Sequence, residues 1–112
     1  MSSAITTHVL DTALGRPAAG VRVRLEHDGA AGWTKVGDGV TDADGRIKEI
    51  GPATATAGNY RLTFDTGAYF GATGRECFFP EVTVTFIVAD PTSHYHVPIL
   101  LSPFSVSTYR GS

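Results

Sequence analysis

Val21, Val23 and Leu25 alternate with Arg22, Arg24 and Glu26, a period-two pattern that predicts a strand with one face on a core and the other in water. The alternation recurs at Tyr60, Leu62 and Phe64, and again at Val82, Val84, Phe86 and Val88, with Thr83 and Thr85 in wet positions. Ile5 to Asp11, Trp33 to Asp42 and Arg46 to Ile50 predict further strands from weaker patterns, and Asp42-Ala43-Asp44-Gly45 has turn chemistry between the last two. Two extended runs, Tyr95 to Leu101 and Phe104 to Tyr109, flank Ser102-Pro103 and predict a closing hairpin. Only Asp65 to Gly74 offers a short helix. Thirteen glycines and six prolines in 112 residues punctuate the chain at the spacing of short strands. Short strands without crossover helices imply an all-β fold, an antiparallel β-sandwich of two sheets, with residues 1–112 as one domain.

A hairpin centred on Ser102-Pro103 sets His96 directly opposite Tyr109. Opposite residues share a face, with Cβ atoms about 5 Å apart. Tyr95, Val97, Ile99 and Leu101 then join Phe104 and Val106 on the core side, while His94, His96, Pro98, Leu100, Ser105, Ser107 and Tyr109 point away. In the first strand His8 shares the outward face with Thr6 and Leu10. If that strand joins the hairpin, one outer face collects His8, His96 and Tyr109 beside Leu100. Imidazoles cost free energy when buried without partners, so a core has no use for them there. A surface mixing them with apolar residues describes a groove closed by another subunit, and two-fold pairing supplies each residue twice.

Composition narrows the setting. Nine Lys plus Arg against eleven Asp plus Glu give a net charge of −2, so there is no basic field for nucleic acid. Cys77 is the single cysteine, which leaves no internal disulfide and points to a reducing compartment. His8, Asp11 and Arg16 interrupt any apolar leader, and no longer apolar run follows, so the expectation is a cytoplasmic protein with no membrane partner.

Thr7-His8-Val9-Leu10-Asp11 with Gly15-Arg16-Pro17-Ala18, Thr41-Asp42-Ala43-Asp44-Gly45-Arg46, and His94-Tyr95-His96-Val97-Pro98 with Ser107-Thr108-Tyr109-Arg110-Gly111-Ser112 together resemble the 5-hydroxyisourate hydrolases of the transthyretin-like family. The resemblance runs from the first strand to the last residue, and its most specific part is the terminal Tyr109-Arg110-Gly111-Ser112. It implies two four-stranded sheets and a homotetramer whose dimer-dimer interface forms a channel with active sites at its ends. It also implies that His8, Arg46 and His96 are catalytic, and that Tyr109, Arg110, Gly111 and Ser112 bind a planar, purine-derived substrate with no cofactor. The implied reaction is hydrolysis of an amide bond in the substrate's six-membered ring.

The residue types suit that chemistry. A histidine near its reference pKa of about 6.5 is mostly neutral at pH 7, so it takes a proton from water and returns it to a leaving nitrogen. His96 or His8 fills that role, the other orienting it. Arg46 presents a planar fork to the substrate's urea-like edge and to charge developing on a carbonyl oxygen, where Lys48 is a poorer geometric match. Tyr109 positions the substrate. No metal is expected, because no zinc-like spacing accompanies the histidines.

Blander readings apply elsewhere. His94 heads its strand as a solvated residue outside the site, and His27 belongs to a loop. Asp42 to Arg46 reads as a plain turn, since a calcium loop needs further oxygen ligands. Gly67, Gly71 and Gly74 make a poor dinucleotide fingerprint. Cys77 packs as a small residue. The alternative to an enzyme is a transthyretin-like carrier or prealbumin-like binding module, both of which lack the paired histidines and the terminal motif.

Overall fold

In the computed structural model, which describes residues 3–112, the chain runs β1 (Ile5–Asp11), β2 (Arg16–Pro17), β3 (Arg22–Gly29), β4 (Gly32–Val40), β5 (Arg46–Ile47), β6 (Gly58–Phe64), α1 (Thr66–Ala72), β7 (Val82–Val88), β8 (Tyr95–Ser102) and β9 (Ser105–Thr108). One sheet is antiparallel in the order β4-β3-β6-β7. The other has the order β2-β1-β8-β9, and β5 adds a fifth strand by pairing with β1 beside β2. The sandwich of two sheets is as expected, but one sheet has five strands and, against the antiparallel expectation, its central β1-β8 pair is parallel. Two two-residue strands share one edge of β1.

The core is what the alternation dictates. Val23, Leu25, Tyr60, Leu62 and Phe64 from one sheet face Ile5, Val9, Val97, Ile99 and Leu101 from the other, each at most 6% exposed. Fully burying such a side chain stabilises the fold by about 1.5–3 kcal/mol. Thr7 points inward too, and its hydroxyl donates to the Val97 carbonyl oxygen at 2.7 Å, so no polar atom is stranded there.

β1 and β8 pair in parallel, with Thr6 opposite His96 and His8 opposite Pro98. That pairing fixes which residues share the outer face: Thr6, His8 and Leu10 with His96, Pro98 and Leu100.

The closing hairpin departs from expectation. Ser102 pairs with Ser105, Leu100 with Ser107, and His96 with Gly111 instead of Tyr109. The turn is centred on Pro103-Phe104, because proline's fixed φ suits the first central position of a β-turn and is disfavoured at the second. The Ser102 hydroxyl accepts from the Ser105 amide at 3.1 Å and closes it. Side chains keep their faces because the ladder moved by an even number of residues, but Phe104 leaves the core side for the turn, where it is 62% exposed.

α1 starts at Asp65, whose side chain accepts from the Ala68 amide at 3.1 Å. It buries Phe70, and its Tyr69 hydroxyl donates to Asp11 Oδ2 at 2.7 Å. Arg75 pairs with the same buried carboxylate, and the Leu14 amide donates to its other oxygen at 3.1 Å. Burial pushes the Asp11 carboxyl up, but the bonds from Arg75, Tyr69 and Leu14 outweigh it and hold it below the usual range. This cluster ties the helix to the end of β1.

Candidate active site

The Asp42 to Arg46 turn brings Arg46 to β1. Asp42 Oδ1 accepts from the amides of Asp44 at 2.9 Å and Arg46 at 3.0 Å, an Asx-type closure that pulls the Asp42 carboxyl below its ordinary value. Gly45 adopts φ +75°, and a Cβ there would meet the Val9 carbonyl oxygen at 2.3 Å. Only glycine lets the turn lie that close, and the Gly45 carbonyl then accepts from the Val9 amide at 2.7 Å. Arg46 ends directly across the ladder from His8.

An open cleft of about 240 Å³ results, lined by Thr6, Arg46, Lys48, His94, His96 and Ser112. The His8 and His96 rings lie 6.4 Å apart, tilted by 34°. His8 Nε2 is 2.9 Å from the Asp44 carbonyl oxygen. A carbonyl oxygen only accepts, so this nitrogen carries a proton and the ring is fixed in orientation. Gly111 passes over the other ring, its amide donating to the His96 carbonyl at 2.8 Å, and a Cβ on it would stand 2.6 Å from His96 Cδ2.

His96 is half-buried, and its pKa is lowered by that burial first, then by the charges of Arg46, His8 and His94. The imidazole is accordingly neutral at pH 7, the form that accepts a proton. Among the described residues no carboxylate forms an ion pair with Arg46, whose charge helps to hold the neighbouring Asp42 carboxyl low. Among them, too, no group of three His, Cys, Asp or Glu side chains could hold a metal ion.

Arg46 and His96 thus line the cleft with Ser112, His8 stands beside its lining, across the ladder from Arg46 and 6.4 Å from the His96 ring, and Gly111 lies against His96. Tyr109 and Arg110 do not border this cleft; they line an adjoining hollow of about 320 Å³ with Phe86, Tyr95 and Val97, where Arg110 Cζ lies 4.4 Å above the Tyr95 ring. His96 borders both spaces. Sequence reasoning left His94 outside, yet its Nε2 is 2.9 Å from Thr6 Oγ1. It missed Thr6 altogether, whose hydroxyl is also 2.8 Å from His96 Nδ1. Thr6 was visible as a neighbour of His8 on the outward face, but only the parallel register shows it opposite His96.

Size does not select the site. A larger cleft of about 490 Å³ on the outer face of the other sheet is lined by Arg22, Arg24, Lys35, Asp38, Asp65 and Glu81 and holds no histidine.

A two-sheet sandwich of this order is that of a transthyretin-like protein, here with an arginine and imidazoles on the outer face of the β1-β8 sheet. The chain belongs to the HIUase/Transthyretin family, whose profile matches residues 5–111. It is 48% identical over 112 residues to a 5-hydroxyisourate hydrolase of Salmonella typhi, spanning 99% of this chain and 82% of the relative. Its fold superposes on the structure of the Klebsiella pneumoniae 5-hydroxyisourate hydrolase with a TM-score of 0.86, 42% identity and 96% and 98% coverage of the two chains. Sea bream transthyretin, solved in complex with thyroxine, gives 0.84 at 36% identity, with 96% and 93% covered.

Proposed function

We propose that the chain is an enzyme of urate degradation that hydrolyses 5-hydroxyisourate. The observation that carries this reading is the meeting of His96, held neutral, with His8 and an ion-pair-free Arg46 in a family whose relatives include hydrolases of that name. His96 Nε2 takes a proton from water, which attacks the ring carbonyl. Arg46 donates to the oxyanion as it forms, and the proton returns to the leaving ring nitrogen. His8, its Nε2 committed to the Asp44 carbonyl, orients water and substrate. Ser112 walls the cleft and Gly111 holds the His96 ring from above, while Tyr109 and Arg110 contact the substrate from the adjoining hollow.

The working form is a homotetramer in a reducing, cytoplasmic compartment. Exposed Ile87 and Tyr109, at 67% and 57%, support the assembly, and the lone Cys77 supports the compartment. No helix among the described residues is long and apolar enough to cross a membrane. Sedimentation that returns a clean monomer removes the tetramer. The hydrolase reading is tested by following the ultraviolet absorbance of freshly generated 5-hydroxyisourate with and without protein; decay no faster than in buffer overturns it.

A further inference from the structure

Thr6 Oγ1 stands between two imidazoles, 2.8 Å from His96 Nδ1 and 2.9 Å from His94 Nε2. A hydroxyl has one proton and two lone pairs, so it cannot donate to both rings, and at least one ring must donate to it. Thr6 is nearly buried, at 9% exposure, and fixed on β1 opposite His96. His94 is exposed just before β8, where solvent satisfies its remaining nitrogen in either tautomer.

We propose that Thr6 and His94 are positioning residues for the hydrolytic reaction: the Thr6 hydroxyl accepts from His96 Nδ1–H and donates to His94 Nε2, holding His96 in the tautomer whose Nε2 lone pair is open. This rests on the hydrolase reading above. The reverse arrangement has Thr6 donating to His96 Nδ1 and accepting from His94 Nε2–H, and it leaves a proton on His96 Nε2. That form cannot take a proton from water. The bridge thus decides whether His96 starts the cycle as base or as acid, and His94 acts by keeping the Thr6 proton pointed away from His96.

The charged and titratable groups around the bridge are Arg46 on β5, His8 on β1 and Lys48 beside the cleft. None of them hydrogen-bonds Thr6 among the described residues. The tautomer choice is therefore left to the hydroxyl.

The test combines steady-state kinetics on 5-hydroxyisourate with ¹⁵N-detected NMR of the histidine rings in the full chain, on wild type, Thr6→Val, Thr6→Ser and His94→Ala. In wild type above the His96 pKa, His96 is expected to carry its proton on Nδ1. Thr6→Val, which keeps shape and loses the hydroxyl, is expected to lower kcat about tenfold or more with KM nearly unchanged, as befits one lost orienting hydrogen bond, and to shift His96 toward the Nε2–H tautomer. Thr6→Ser restores both, and His94→Ala shows a smaller change in the same direction. A wild-type His96 protonated on Nε2, or a Thr6→Val protein with unmoved tautomer, overturns the proposal whatever its kcat. The NMR result needs no substrate, so a wild type that fails to consume 5-hydroxyisourate sinks the hydrolase reading separately.

Discussion

On the outer face of the β4-β3-β6-β7 sheet charge is answered by charge: Glu26 accepts from Arg61 at 2.8 Å and lies 3.5 Å from Arg24, Lys35 meets Asp38 at 2.6 Å, and Arg61 covers the Trp33 ring at 4.2 Å. On the outer face of the β1-β8 sheet Arg46 and Lys48 lie beside His8, His94 and His96, and among the described residues no carboxylate forms an ion pair with Arg46. Both faces belong to strands whose other side fills the core. The paired face drives its groups away from neutrality: the bond from Arg61 is the main cause holding the Glu26 carboxyl low, and the same bond raises Arg61. On the other face burial first, and then the charges of Arg46, His8 and His94, lower the His96 pKa and favour its neutral form. The chemistry proposed above thus falls on the face whose cations form no ion pair among the described residues, and the larger cleft belongs to the other face.

The contrast breaks first at His96. His96→Asn is expected to lower kcat by about 10²- to 10⁴-fold, the usual worth of a general base, while circular dichroism shows the native sandwich because the side chain lies off the core. Loss of folded protein would mean the face is structural after all. Arg46→Lys keeps the charge and loses the fork, so kcat/KM should fall by about 10²-fold; activity near wild type would show that charge alone suffices.

Gly111→Ala places a methyl where His96 Cδ2 and Pro98 Cγ already stand, at 2.6 Å and 3.2 Å, so the ring must shift. A misplacement of this kind is expected to reduce turnover by up to about 10²-fold with unchanged melting temperature. In wild type, an ordinary imidazole base of pKa about 6.5 loses about tenfold of its activity at pH 5.5, and the lowered His96 should lose less. An acid limb of kcat/KM above that ordinary value contradicts the electrostatics. The sign for stability is the same: the unfolded chain takes up this proton first on acidification, so the His96 contribution is present above about pH 6.5 and declines as pH falls toward the lower folded value. On the quiet face, Glu26→Gln should cost only about 0.2–1 kcal/mol, read as a shift of a few degrees in melting temperature, with turnover untouched.

Much of this was legible in the sequence. Period-two patterns gave the strands at Ile5–Asp11 and Val82–Val88, and the outward parity of His8 and His96 survived because a slip of two residues leaves faces unchanged. What failed was the register itself. Centring the hairpin on Ser102-Pro103 placed proline at the turn position it disfavours, and so it put Tyr109 where Gly111 belongs. His94 was set aside because a strand's first residue is usually solvated, and it is exposed; its bond to Thr6 depends on a parallel alignment between the two ends of the chain. Alternation carries no record of which strands become neighbours, so Thr6 had no signal beyond its parity with His8. Asp11, read as a strand end, sits fully buried under Tyr69 and Arg75 for the same reason.

The parallel seam between β1 and β8 also has a consequence for biosynthesis. Thr6 is made some ninety residues before its partners at positions 94 and 96, after every strand of the β4-β3-β6-β7 sheet, so the cleft is among the last parts of this sandwich to form. A nascent chain stalled before Gly111 clears the exit tunnel carries every strand of the β4-β3-β6-β7 sheet without the His96–Gly111 bridge, so under the proposed function the onset of turnover is a clock for the closing of this sandwich.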